Sequence, residues 1–311
     1  MQPIISVDHL IKRYKKAHTN AVDDISFTVA EGEFFSLLGP NGAGKTTTIS
    51  ILTTTLAKSS GNVTIAGYNL DKHPSEVRQR IGVIFQNPSL DMNLTAEENV
   101  RFHIVLYNLY PFAPTFSLMA KEYQTRVTEL AEVLHIKKDI FKPIKTFSGG
   151  MKRKLEIIRS LMHHPKILFL DEPSSGLDPI TRKNLWDYLE EVRKKHKTTI
   201  FLTTHYLEEA ENSTHICVIN QGKIISFGSP QDLKQNLIEE YLVIDSKDKK
   251  RLLTELQIKH LPYEEEDVIK VRLGHRSAQE IISLIKTPLN VLKIHTPTLE
   301  EAYVEIIGEN A

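Results

Sequence analysis

Residues 39–46 read Gly-Pro-Asn-Gly-Ala-Gly-Lys-Thr, and this stretch decides the fold. A compact apolar run, 34–38, precedes it, and a segment with helical spacing, 45–56, follows it. The apolar run has the length of a buried strand. A strand, a glycine-rich turn and a helix, in this order, are the setting that a phosphate-binding loop requires. The stretch therefore predicts a site for nucleotide phosphates.

The residue types in this loop suit a triphosphate. Its three glycines allow the backbone N–H groups to turn inward and let phosphate oxygens come close, and the following helix points its positive end at the same place. Lys45 adds a full charge at the β- and γ-phosphates, and the Thr46 hydroxyl is placed to bind Mg²⁺. We expect nucleotide contacts from the whole loop and the next residue: Gly39, Pro40, Asn41, Gly42, Ala43, Gly44, Lys45, Thr46 and Thr47.

A second apolar run, 167–170, ends in two acids, Asp171 and Glu172. Asp171 is predicted to join the Mg²⁺ shell at the carboxyl end of a strand, where α/β sheets bind ligands. Glu172 lies on the opposite side of the pleat if the strand continues, and it is the candidate general base that polarises the attacking water. These features indicate a Mg²⁺-dependent nucleoside triphosphatase. The Asn-Lys-x-Asp motif of small GTPases does not occur in the sequence.

The composition limits the kinds of partner and the cellular compartment that the protein can have. The 311 residues include 39 basic and 39 acidic ones, so there is no basic excess to favour a nucleic-acid partner. A single cysteine, Cys217, excludes an internal disulfide and fits a reducing compartment. No apolar run approaches the roughly 18 residues that a membrane span needs, and we expect neither a span nor a signal peptide.

Hydrophobic patterning predicts two domains, 1–230 and 231–311. In the first, βα alternation implies a largely parallel buried sheet, with a helical region at about 90–163. The predicted strands of this domain are 4–10, 24–30, 34–38, 166–170 and 199–202, and the predicted helices are 45–56, 96–107, 121–134, 148–163 and 180–195. In the second, strands are predicted at 241–244, 268–273 and 291–294 and helices at 230–239, 247–256, 276–286 and 298–307, while the acidic run 264–267 is predicted to be a solvated turn.

Over residues 4–230 the chain resembles the nucleotide-binding subunit of ATP-binding-cassette (ABC) transporters. The resemblance rests on motifs in the family's order: Tyr14, Gly39–Thr47, Gln86, Phe147–Met151, Leu170-Asp171-Glu172, Ser175-Gly176-Leu177-Asp178 and His205. It implies a P-loop ABC-ATPase fold of the α/β class: a mainly parallel sheet core, an antiparallel β subdomain and a helical subdomain, followed here by a small C-terminal α/β domain. It also implies ATP and Mg²⁺ as cofactors.

The resemblance implies specific roles for the motif residues. Tyr14 would stack on adenine, Gln86 would touch Mg²⁺ and the attacking water, and His205 would contact the γ-phosphate and hold Glu172 in place. Two subunits would pack head to tail, so that Ser148, Gly149 and Gly150 of one subunit cap the γ-phosphate held by Lys45 of the other. Asp178 would lie along the dimer interface. The first and last residues of the signature, Phe147 and Met151, depart from the commonest family form, which has Leu and Gln there.

The signature variant 147–155 and the tail 297–303 resemble the drug-resistance exporter branch of the family. The implied partners are a membrane-spanning permease and a second copy of the chain or a paralogous ATPase, with the protein cytoplasmic and peripheral on the inner face of the cell membrane. The segment 107–124 is longer than in the shorter members, and we expect its tip to contact the permease. Two alternatives remain open from the sequence: a soluble ABC-type ATPase without a transport role, and the ATPase of an importer.

Overall fold

The computed structural model describes residues 3–85, 89–107, 109–175, 177–237, 240–265, 267–274 and 276–309. The chain divides into two compact units, Met1–Phe227 and Gly228–Ala311. Within the described ranges, no helix combines the length and the apolar character needed to cross a bilayer. The assignment of residues 231–311 to a separate domain stays a prediction.

The first unit is built from ten strands and seven helices within its described residues. The strands are β1 (Ile5–Lys12), β2 (Val22–Val29), β3 (Phe34–Leu38), β4 (Ser60–Ile65), β5 (Tyr68–Asn69), β6 (Ile81–Ile84), β7 (Ile167–Asp171), β8 (Thr199–Thr204), β9 (His215–Asn220) and β10 (Lys223–Gly228). The helices are α1 (Lys45–Leu52), α2 (Pro74–Arg78), α3 (Ala96–Leu106), α4 (Lys121–Val133), α5 (Gly149–Leu161), α6 (Pro179–His196) and α7 (Leu207–Ala210).

The central sheet has the strand order β10-β9-β3-β8-β7-β6, and its strands from β9 to β6 are parallel. Strands β3, β7 and β8 are buried along their whole length, which explains their continuous apolar or threonine-rich sequences. The register pairs Leu38 with Thr204 and Asp171 with Thr203. Because these strands run in the same direction and end at the same level, the residues that follow them lie along one edge of the sheet.

Two hydrophobic cores hold the first unit together. One lies between the central sheet and an antiparallel sheet of order β2-β1-β4-β5, where Phe35 stacks between Phe27 and Phe201 with ring centroids 5.3 and 5.0 Å away. The other packs α3, α4, α5 and α6 together with the opposite face of the central sheet. The expected parallel core, antiparallel part and helical part are therefore confirmed. Helix α1 ends at Leu52 rather than at residue 56.

The second unit has a β-α-β-β-α-β order flanked by one further helix at each end. Its elements are α8 (Pro230–Leu237), β11 (Tyr241–Asp245), α9 (Lys249–Ile258), β12 (Tyr263–Glu265), β13 (Ile269–Arg272), α10 (Ala278–Leu284), β14 (Val291–His295) and α11 (Leu299–Glu309). The sheet order β12-β13-β11-β14 is antiparallel throughout, which is the ferredoxin-like arrangement. The predicted solvated turn at 264–267 was wrong at its start, because Glu264 and Glu265 pair with Lys270 and Ile269 in the edge strand β12.

Candidate nucleotide-binding site

The loop between β3 and α1 has the backbone geometry of a phosphate cradle. Gly44 is the residue before the first turn of α1 and has a φ of 110°, and Gly42 has a φ of 81°. A Cβ at Gly44 would lie 2.5 Å from the Ala21 carbonyl oxygen, and one at Gly39 would lie 2.2 Å from the Ile219 carbonyl oxygen. Both positions therefore require glycine, because the neighbouring backbone already fills the space that a side chain would need.

Lys45 is folded back into this loop. Its side chain is buried, and its Nζ donates hydrogen bonds to the carbonyl oxygens of Gly39 at 2.7 Å and Pro40 at 3.0 Å. Burial lowers the pKa of Lys45, whereas the carboxylates of Glu172 and Asp171 raise it. The ammonium group thus stands at the cradle with two acids nearby, and it is placed to donate hydrogen bonds to the oxygens of an incoming phosphate.

The other loop residues divide into a buried and an accessible part. Ala43 is buried and its carbonyl oxygen accepts a hydrogen bond from Gly222 N at 2.9 Å, which ties the loop to the turn before β10. Asn41 and Thr46 are exposed, so they are free to meet a ligand. The exposed Thr46 hydroxyl fits the predicted role as a Mg²⁺ ligand.

Tyr14 lies beside the first turn of α1. It follows β1, its side chain is 46% exposed, and its hydroxyl lies 3.2 Å from the Thr47 hydroxyl in the first turn of α1. This contact brings the tyrosine ring beside the phosphate loop, although 33 residues separate the two positions. An exposed aromatic face is a stacking surface for a base.

Asp171 and Glu172 stand at the carboxyl end of β7. Asp171 is buried and accepts a hydrogen bond from the Thr203 hydroxyl. Burial raises the pKa of Asp171, and Glu172 adds to the rise, while the hydrogen bond from Thr203 and the charge of Lys45 lower it. An Asp carboxylate and a Thr hydroxyl are the hard oxygen donors that Mg²⁺ prefers, and one or two such ligands plus phosphate oxygens are its usual set. The donors present fit the metal.

Glu172 does not continue the strand. Its φ is 46°, in the left-handed region, and its N–H donates to the Thr203 carbonyl oxygen at 3.0 Å. The strand ends one residue earlier, so the condition under which Glu172 would lie on the opposite side of the pleat is not met. Its side chain is 11% exposed, and its Oε1 lies 2.9 Å from the imidazole Nδ1 of His205, which follows β8. The structure brings the predicted base and the predicted histidine together.

The signature motif occupies a helix start. Ser148 is the N-cap of α5, and its hydroxyl accepts a hydrogen bond from Met151 N at 3.2 Å. Ser148 and Gly149 are exposed, and a Cβ added at Gly149 would meet no atom within 4 Å. Across the described residues, no hydrogen bond joins this turn to the phosphate loop. The turn is therefore an exposed helix start, which is a setting that suits an anion, and its expected role in capping a γ-phosphate stays a prediction.

Asp178 caps α6 in the same way. Its carboxylate accepts hydrogen bonds from Ile180 N at 3.1 Å and Thr181 N at 3.0 Å, and these bonds lower its pKa. The interface role expected for Asp178 stays a prediction. Gln86 and Gly176 lie outside the described residues, so the expected contacts of Gln86 stay predictions as well.

Two buried residues beside the site carry contacts that the sequence analysis missed. Arg153, in α5, donates hydrogen bonds to the backbone around Glu172. Glu209, in α7, accepts hydrogen bonds from the hydroxyls of Ser174 and of Thr204, the latter at 2.7 Å. Glu209 thereby joins the loop after Glu172 to the end of β8. The sequence signal for a buried Arg153 was its opposite-charge partner three positions later, Glu156. Lys152 and Lys154 flank Arg153, so the sequence does not show which of the three basic residues is buried.

A glycine-rich loop before a helix, a buried acid at a strand end and a second acid paired with a histidine, all on one edge of a parallel sheet, are the arrangement of a P-loop nucleoside triphosphatase. Comparisons with known proteins make the class specific. A family model described as ABC transporter matches residues 22–175. The Nod factor export ATP-binding protein I of Ralstonia nicotianae is 38% identical over 232 residues, which cover 74% of this chain and 68% of that protein.

Two further matches point to the same family. The linearmycin resistance ATP-binding protein LnrL of Bacillus subtilis is 36% identical over 235 residues, covering 75% of this chain and 72% of that protein. The dimeric structure of a bacterial ABC transporter cassette superposes with a TM-score of 0.65 at 25% identity, covering 72% of this chain and 98% of that one. The chain belongs to the ATP-binding proteins of the ABC transporter family. It is an ATPase.

Proposed function

We propose that the protein is the ATPase subunit of an ABC exporter, and that two ATPase subunits close on two ATP molecules to drive a separate membrane-spanning permease. The observation that carries the proposal is the division of the site. Lys45, Glu172 and His205 converge on one sheet edge, whereas the Ser148 turn is a separate, exposed helix start that makes no hydrogen bond to the phosphate loop among the described residues. Such a helix start has a function if it binds the γ-phosphate of a nucleotide that is held by the phosphate loop of another subunit.

The signature turn has the properties that this arrangement needs. Nothing lies within 4 Å of a Cβ added at Gly149, so packing within this chain does not require glycine there. Close approach by a nucleotide on a second subunit gives a reason for the missing side chain. The likeness to a cassette solved as a dimer supports the same reading. The second subunit is a copy of this chain or a paralogous ATPase.

Hydrolysis follows from the residues at the sheet edge. Glu172 accepts a proton from the attacking water, the new bond forms to the γ-phosphorus, and the bond to the β–γ bridging oxygen breaks to leave ADP. His205 holds Glu172 in place at 2.9 Å, and Lys45 balances charge on the phosphates. Thr46 and Asp171 would hold Mg²⁺, which neutralises phosphate charge when bound. Closing the dimer excludes water and strengthens each of these contacts.

Export is the direction that the relatives support. One relative is named for Nod factor export and another for linearmycin resistance. We place the protein in the cytoplasm, peripheral on the inner face of the cell membrane, where the permease is within reach. The segment around 110–118 presents Phe112 and Leu118, 54% and 67% exposed, as a contact surface for that partner.

The test of the dimer uses Glu172→Gln, a variant of the same size that cannot take the proton. With Mg²⁺ and ATP it should bind nucleotide, hydrolyse it very slowly and elute as a dimer by light scattering. Adding Ser148→Arg to this variant should leave nucleotide binding largely intact and return the protein to a monomer, because the arginine fills the second cradle. A hydrolysis-dead protein that remains monomeric with ATP, alone and with its permease, would sink the proposal.

The test of the exporter assignment is reconstitution. Co-purification with a permease and ATP-dependent efflux from proteoliposomes supports it, whereas uptake through a substrate-binding protein supports an importer. Deleting residues 110–118 should leave the ATPase activity of the isolated subunit in place and abolish transport. Unchanged transport would remove this segment from the interface.

A further inference from the structure

Arg153 makes an unusually complete set of contacts for a residue without an assigned role. It is 5% exposed and lies in α5, five positions after Ser148. Its Nε donates to the Pro173 carbonyl oxygen at 2.8 Å, and its Nη2 lies 3.2 Å from the carbonyl oxygens of both Asp171 and Glu172. One guanidinium therefore holds three successive carbonyl groups of the catalytic loop.

The same guanidinium reaches a second segment. Its Nη1 donates to the carbonyl oxygen of Phe85, the last described residue before Gln86. Nη1 also donates to Glu156 Oε2 at 3.1 Å, and Glu156 in turn accepts from Ser89 N at 3.1 Å through Oε1. Glu156 is buried as well, so it balances the arginine charge and also holds the backbone at Ser89.

Only arginine offers donors in this arrangement. Its planar group presents N–H bonds in a fixed fork, whereas lysine has one rotatable ammonium group. All three nitrogens of the Arg153 guanidinium donate hydrogen bonds, and their acceptors are carbonyl oxygens at or just after the end of β7 and after β6. Since a helix rises 1.5 Å per residue, the backbone of Arg153 lies about 7.5 Å along α5 from Ser148. The distance is short enough for the helix to act as a rigid arm.

We propose that Arg153 is a positioning residue that makes the signature turn and the catalytic loop of one subunit move as a single body. This inference rests on the proposed dimer, in which Ser148 serves the nucleotide of the partner while Glu172 serves the nucleotide of its own subunit. Closure of the signature turn on one ATP then fixes the base at the other ATP. Arg153 thereby couples the two sites, and cooperativity of hydrolysis depends on it.

The experiment compares Arg153→Lys with the wild-type protein and with Arg126→Lys. Arg126 lies in α4 and donates to the Leu161 carbonyl oxygen at 3.3 Å, so the control loosens the opposite end of α5. Arg153→Lys should keep the ATP dissociation constant of the monomer, because Arg153 touches no residue of the phosphate loop. We expect kcat to fall about 10- to 100-fold, the range for a misplaced catalytic group, and the Hill coefficient for ATP to fall to one. Arg126→Lys should keep both values.

Glu156→Gln provides a second variant in case Arg153→Lys folds poorly. It keeps an acceptor for Ser89 N and removes the charge that balances the guanidinium, so a smaller drop of the Hill coefficient is expected. A folded Arg153→Lys protein with wild-type cooperativity would overturn the inference, whatever its kcat. Unchanged cooperativity in Glu156→Gln would overturn it where Arg153→Lys does not fold. A wild-type protein that is monomeric and non-cooperative overturns the dimer proposal instead.

Discussion

Replacing His205 with alanine removes one partner of the Glu172 carboxylate and leaves the phosphate loop untouched. The imidazole Nδ1 lies 2.9 Å from Oε1 of a carboxylate whose side chain is 11% exposed. A hydrogen bond to a charged group contributes about 1.5–3 kcal/mol. A bond that is equally strong in the ground state and the transition state does not change the barrier, so the barrier rises by that amount only if the whole bond energy serves to hold Glu172 in the reactive position. At 1.36 kcal/mol per decade, kcat should fall roughly 10- to 150-fold.

The assay is steady-state phosphate release at saturating Mg²⁺ and ATP, together with an ATP titration. We expect a lower kcat with nucleotide affinity changed much less, because Lys45 and the glycine loop are intact. The chain offers a matched control in His215, whose Nδ1 lies 2.6 Å from Glu33 Oε1. This second histidine–carboxylate pair lies at the start of β9 and β3, at the opposite end of the parallel sheet from the nucleotide site. His215→Ala should therefore leave kcat unchanged.

A wild-type kcat in the His205→Ala protein would show that His205 is not needed to hold Glu172 in the reactive position. An equal drop of kcat in both alanine variants would indicate a general loss of folded protein rather than lost catalysis. His205→Asn should recover part of the rate, since an amide keeps a donor on a shorter arm.

Three further predictions concern the loop, the metal and stability. Gly44→Ala should abolish ATP binding, measured by titration calorimetry, because the new Cβ would lie 2.5 Å from a carbonyl oxygen at a φ of 110°; retained affinity contradicts the cradle geometry. Asp171→Asn should raise the Mg²⁺ concentration needed for hydrolysis while nucleotide still binds without metal, and an unchanged Mg²⁺ titration argues against Asp171 as a ligand. Burial and the nearby Arg159 and His163 lower the pKa of His103 to about 3. The unfolded chain binds a proton at this histidine near pH 6.5, whereas the folded chain keeps it neutral down to about pH 3. The free energy of unfolding therefore has its full value above pH 6.5 and falls progressively as the pH drops toward 3. When the pH is lowered from 7.5 to 5.5, the free energy of unfolding measured in urea should fall by about 1 kcal/mol less for His103→Leu than for the wild type. Equal falls in the two proteins would contradict this.

The parts of the site that were predictable share one property: each is a short residue pattern at the end of a buried strand. Gly39, Asp171 and His205 follow β3, end β7 and follow β8, respectively. Parallel strands that end at one level bring such residues together, so the sequence order and the strand signal were sufficient.

The parts that were missed depend on contacts between distant segments. Strand β12 was hidden in an acidic run, since its edge position lets Glu264 pair with Arg272 instead of packing in a core. The eleven residues 68–78, which form β5, α2 and the turn between them, have too few apolar positions to show a helical or strand period. Arg153 has basic neighbours, Lys152 and Lys154, and only the folded chain shows which of the three is buried.

The left-handed backbone of Glu172 connects these observations. A glutamate at φ 46° costs roughly 1–2 kcal/mol relative to an ordinary conformation. Had β7 continued in a regular pleat, Asp171 and Glu172 would point to opposite faces of the sheet. The turn ends the strand at Asp171, the predicted metal ligand, and places the next carboxylate beside His205. Since the Glu172 N–H is held by Thr203 and its carbonyl oxygen by Arg153, the fold supplies the contacts that keep this conformation populated. In the proposed dimer, the partner's nucleotide meets the start of α5. Arg153 on this helix can then hold Glu172 in place when the partner closes.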